Sequence, residues 1–239
     1  MYRASADDRG TVQALARDLE AAREDEGIKF QLSTRSEIAM LPSHAYFALL
    51  RHLCFRFPNL VLHSYLSRTS PTNSVPLLPK GVLFDHVVVN HTQYTASSRA
   101  ASEAGSLVAV RSGGRFWVGE LQDICAVEQQ GIAIGIFRFG YMQWFRRSDI
   151  NLDGTVWNQY AALNVDIWQI DQYLHENDCG PGPLIDLQDI FCHVVRLAVV
   201  IREQRCWATV FVNVRVIPTP YPTTDHKINA GLIDFLRGN

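Results

Sequence analysis

The sequence predicts a mainly β protein of the α+β kind: a partly open small barrel, with two N-terminal helices packed on it and a C-terminal hairpin closing one side. Three observations predict it. From Val82 onward apolar residues recur with period two, the spacing of a strand with one buried face. The short turns Asn90-His91 and Ser112-Gly113-Gly114 separate these runs as hairpin turns do, because Asn and Gly tolerate positive φ. Gly119, Gly135 and Gly140 fall inside strand-like stretches, where a curving sheet needs bulges or close backbone approach.

Composition sets the limits. The 239 residues are 47% hydrophobic and 19% charged, with a formal net charge of −2, which excludes a disordered tail, a collagen-like rod and a coiled coil. A chain of this length can bury roughly 70% of the surface it exposes when unfolded. No apolar run reaches the ~18 residues of a spanning helix. The opening MYRASADDRG lacks the apolar stretch of a signal peptide, so a soluble intracellular protein with no membrane contact is expected. Charge is uneven. Residues 41–80 hold Arg51, Arg56, Arg68 and Lys80 and no acid, whereas the segment after residue 150 is acidic. Non-specific duplex binding by the whole chain is thereby disfavoured, and a weak local nucleic-acid contact through Arg51, Arg56 and Arg68 is expected to remain.

The elements follow in order. Thr11 can cap a helix whose Val12, Leu15, Leu19 and Ala22 share one face and which stops at Gly27. A second helix begins near Ser43, after Pro42, and ends before Pro58, with Leu49, Leu50 and Leu53 toward a core. His44, His52 and His63 read as solvated or core-edge residues. SRTSPTNSVPLLPKG reads as a loop or linker, giving a helical lead and linker over 1–76, a barrel domain over 77–217 and a tail over 218–239. Within the barrel, VLFDHVVV and QYTAS form one hairpin and SLVAVR and RFWVGEL a second. GIAIGIFRFGYMQWF supplies a strand or a pair. FCHVVRLAVVI and CWATVFVNVRVI form a long hairpin about Arg202 to Arg205, with Val210, Val212, Val214 and Val216 on one face. The turn-rich stretch from Ser148 to Pro183 reads as an excursion.

Site chemistry is sparse. The cysteines Cys54, Cys125, Cys179, Cys192 and Cys206 show no CxxC pairing and read as buried thiols, with no metal site and no cofactor expected. No GxSxG, HExxH, GxxxxGKS or GxGxxG motif is present, so no catalytic residue is assigned. An acid-dependent hydrolase or nuclease is the alternative, and it would need acids such as Asp149, Asp153 and Asp189 to converge; Asp186 and Asp189 have the setting of turn or helix caps. The density of aromatics is more informative. Most of Phe116, Trp117, Phe137, Phe139, Tyr141, Trp144 and Phe145 should be core. Two or three of them, with Asp149 or Glu120, are candidates for an aromatic cage around a methylated ammonium. The candidate ligand-binding set is Trp117, Tyr141, Trp144, Arg146, Arg147 and Asp149.

The order LPKGVLFDHVVVNHTQYTASS, SLVAVRSGGRFWVGELQDI, IFRFGYMQWFRRSD and PLIDLQDIFCHVVRL resembles the C-terminal region of large transposase-like proteins of basidiomycete fungi. It is also similar to a bromo-adjacent homology module: a strand ending in Gly119 and Glu120, the pair Trp144 and Phe145, then Arg147 and Asp149, and a return through Leu187 and Ile190. The likeness covers about residues 77 to 200. It implies an SH3-like barrel with an accessory, non-catalytic role in a protein of transposon origin, contacting protein, chromatin or nucleic acid, with the nucleus as its location. WFRRSD carries Arg147 and Ser148 where proline commonly follows arginine in such modules, and no catalytic acidic core of a transposase is present.

Overall fold

A computed structural model describes residues 30–100, 105–129, 136–159, 165–175 and 178–212. The helix expected from Thr11, Gly135, Val214 and Val216, and the tail over 218–239 lie outside the described residues. The chain is mainly β, as expected.

Two long strands organise it. β9 (Arg115–Glu128) and β10 (Ile136–Arg147) pair along nearly their whole length, from Ile136↔Glu128 to Trp144↔Gly119. At one end they complete a ring with β8 (Leu107–Ser112), β11 (Asp166–Tyr173), β13 (Ile190–Ile201) and β14 (Gln204–Val212), in the order β10-β11-β14-β13-β8-β9. The β9–β10 pairing closes that ring, so the six-stranded barrel is closed where a partly open one was expected. All six strands feed its interior: Leu107, Ala109, Val118, Phe145, Trp168, Cys192 and Val194 form one buried cluster, and Phe211 packs against it. At the other end the same strands extend into an open sheet with β5 (Lys80–Phe84), β2 (Ser36–Met40) and β12 (Leu184–Ile185).

The excursion is corrected by β11, which supplies a full barrel strand between β10 and β14. Its sequence DIWQIDQY mixes polar and apolar residues at both parities, so period two is weak. Trp168, fully buried and donating its indole N–H to Thr209 Oγ1 at 2.8 Å, anchors it through tertiary contact. VLFDHVVV is likewise two strands. β6 (His86–Val89) leaves β5 at Asp85 and joins β1 (Phe30–Leu32) and β7 (Thr92–Thr95) in a separate sheet. Asn90 and His91 both take positive φ in the β6–β7 turn, as the hairpin reading requires. Gly113 and Gly114 do the same between β8 and β9, and Arg202 and Glu203 between β13 and β14. β1 and β2 thus precede residue 76 yet pair with strands that follow it. The Ser/Pro-rich linker also contains β4 (Val75–Leu77), which lies parallel to β3 (Leu62–Ser64).

Helix α1 (Ser43–Arg56) starts after Pro42 as expected. Its Tyr46, Leu49 and Leu53 are buried against Leu77, Leu83, Cys125, Val127 and Phe139, and each such side chain contributes about 1.5–3 kcal/mol. The Tyr46 hydroxyl donates to Leu77 O at 2.9 Å and accepts the Tyr65 N–H at 2.9 Å, tying α1 to the β3–β4 layer. α1 therefore lies on the open sheet, and its opposite face borders the site.

Candidate functional site

A groove of about 830 Å³ runs between α1, the distal half of β10, the end of β11 and the loop leading to β12. That size suits a ligand-binding cleft. One wall is a single helical stripe: His44, Ala48, Arg51, His52 and Phe55 recur at the spacing that keeps side chains on one face. The other walls bring Gln122, Tyr141, Gln143, Trp144, Arg146, Asp171, Tyr173, His175 and Asp178.

A hydrogen-bonded polar set sits at the head of the helix. Asp123 is opposite Tyr141 across the β9–β10 ladder, just where the register slips at Tyr141/Met142. Residues opposed in a ladder share a face, and His44 touches both. Its Nε2 lies 2.8 Å from Asp123 Oδ2, and its ring centroid is 4.4 Å from that of Tyr141. Asp123 is a strand acid that the surrounding apolar residues bury, and Ser98 Oγ donates to its Oδ1 at 2.7 Å. His44, Asp123 and Ser98 have the residue types of a hydrolytic triad, but the carboxylate stands in the middle. Ser98 donates to Asp123 and not to the imidazole, so the arrangement draws no proton from the serine hydroxyl. It holds one imidazole in a fixed orientation at the edge of the groove.

Burial, and secondarily Arg56, lowers the pKa of His52. Burial and the Glu120 charge raise that of Tyr173. Asp178 accepts the His175 N–H at 2.9 Å and is held in its turn.

Of the residues singled out from sequence, Tyr141, Trp144, Arg146 and Arg51 meet in this groove. Trp144 is core: only 3% exposed, it donates its indole N–H to Gly182 O at 3.0 Å and offers the groove an edge. Trp117 is half-buried against the core beside Gly180. Arg147 pairs with Asp166 at 3.0 Å and lies over Trp168, and Asp149 is exposed beyond β10. The Arg56 guanidinium lies over Phe57 and Phe137, and Arg68 is exposed in the β3–β4 connection. None of Asp149, Asp153 and Asp189 lines the groove. Asp153 follows Asn151, whose side chain accepts its N–H, and Asp186 caps the turn that holds Asp189. Burial, and then Asp186, raises the Asp189 pKa. Among the described residues no His, Cys, Asp and Glu cluster suited to a metal ion occurs, and no helix is long and apolar enough to cross a membrane. No family model, curated protein or solved structure matches the chain.

Sequence reasoning missed Asp123 and treated His44 as bland. An acid inside the apolar run LQDICAV was the available signal, since a carboxylate on a buried strand needs a partner. The partner, 79 residues away, was not legible.

Proposed function

We propose that the chain is a non-catalytic interaction module whose groove receives an acidic segment of a protein partner. One observation carries this reading: Arg51 of α1 and Arg146 of β10, remote in sequence, line one groove with His44, His52 and His175, and Tyr141 adds an aromatic surface. Aromatic and arginine side chains are the usual anchors of protein recognition. The first wall carries no acid, because the α1 sequence has none. Asp171 and Asp178 also line the cleft, and the whole chain has net charge −2. A rigid duplex would hold phosphates at fixed spacing against those carboxylates, whereas a flexible acidic peptide can turn its side chains toward the arginines and away from the aspartates. The resemblance to bromo-adjacent homology modules adds chromatin as a setting for such a partner.

The test is fluorescence anisotropy with a labelled poly-glutamate peptide, using a neutral poly-glutamine peptide and a short DNA duplex as alternatives. Arg51→Ala and Arg146→Ala should each weaken poly-glutamate binding about tenfold with an unchanged melting temperature. Preferential duplex binding with a steep salt slope would transfer the groove to nucleic acid. Equal binding by wild type and both variants would remove the groove from consideration.

A further inference from the structure

The hydrogen bonding of Asp123 fixes which nitrogen of His44 can change. A carboxylate accepts and does not donate, so the ring must present Nε2–H to Asp123 Oδ2, 2.8 Å away, in both its neutral and its charged form. The atom that gains or loses the proton is then Nδ1. In the neutral ring it is an acceptor. In the imidazolium it is an N–H donor carrying positive charge. The His44 side chain is 47% exposed while that of Asp123 is 3% exposed, so the carboxylate is spent on holding the ring and the ring is what a ligand meets.

Resting on the reading of the groove as a site for acidic ligands, we infer that the ligand's anionic group is received at His44 Nδ1 and that protonation there turns binding on. The surroundings act in both directions. On the same helix stripe Arg51 favours an arriving anion and opposes a second positive charge, while burial and Arg56 favour the neutral form of His52. From β9, Asp123 holds the ring through Nε2. From β10, Tyr141 lies against the ring at a 43° tilt, and Arg146 adds a fixed cation to the groove. Asp171, Tyr173, His175 and Asp178 complete the groove from β11 and the loop beyond it, and Asp178 is already bonded to backbone. A proton on the His44 ring adds one positive charge to a groove lined by two arginines and two aspartates.

The same labelled poly-glutamate peptide, most of whose carboxyls are ionised at both values, tests it at about pH 5.5 and about pH 8. Affinity should be about tenfold higher at the acid end. His44→Gln retains an amide N–H for Asp123 but cannot be protonated, and should flatten the ratio. His193→Gln, outside the groove where Nε2 meets Gln93 O, should preserve it. Nitrogen-15 NMR of the wild-type imidazoles should give the Nε2–H tautomer for His44 at the basic end, and an Nδ1–H tautomer would overturn the assignment. So would a ratio kept in His44→Gln and lost in His52→Gln or His175→Gln. Equal affinity at both pH values would overturn the switch and leave the groove reading standing, whereas no binding at either pH would overturn both.

Discussion

Gly119 faces Trp144 across the β9–β10 ladder so closely that a Cβ on Gly119 would lie 3.0 Å from Trp144 Cα and Cε3 and 2.6 Å from Gln143 O. Two of those three atoms are backbone and cannot swing away. Gly119→Val should therefore destabilise the protein by about 1–3 kcal/mol, read as a lower urea midpoint. An unchanged midpoint would mean that β10 can draw back from β9 at no cost.

Trp144 is held by both burial and a hydrogen bond, and two substitutions separate them. Trp144→Ala should cost about 3–5 kcal/mol or prevent folding, as loss of a buried aromatic does. Trp144→Phe keeps most of the ring but leaves Gly182 O without its indole donor. About 1 kcal/mol should be lost with that bond, added to a smaller packing term. Chemical denaturation of both variants checks the order.

The neighbours Arg146 and Arg147 should behave oppositely. Arg147 is paired with Asp166 at an exposed site, its side chain 55% accessible, so Arg147→Ala should cost no more than about 1 kcal/mol and leave peptide binding unchanged. Arg146→Ala should leave the melting temperature unchanged and weaken the peptide. Similar binding losses in both would widen the site beyond the groove.

The five cysteines are free thiols, and they divide by burial. Cys54 and Cys179 are exposed, which corrects the expectation that all are buried. Burial pushes the Cys192 thiol up to about 11, and burial together with the Asp123 charge pushes Cys125 up further. A thiol reagent should modify two sites rapidly in the native protein, and Cys125, Cys192 and Cys206 only on unfolding. Mass mapping after brief alkylation reads this directly.

The sequence by itself determined the local features of this protein. Period two with Asn, Gly and polar turns specified the β6–β7, β8–β9 and β13–β14 hairpins, and Pro42 with the leucines of α1 placed that helix, because those signals depend on neighbours a few residues apart. Gly119 was legible as a close approach for the same reason. Tertiary structure alone decided closure of the ring and the recruitment of β11, whose mixed pattern becomes a strand only where Trp168 finds Thr209 and the barrel interior. It also decided the site. Tyr141, Trp144 and Arg146 were visible as one segment and Arg51 as part of a basic window, yet their meeting depends on α1 lying across the open sheet. Asp123 and His44 acquire a joint role only at that crossing, where a buried carboxylate must satisfy its oxygens with whatever donors the fold brings to it.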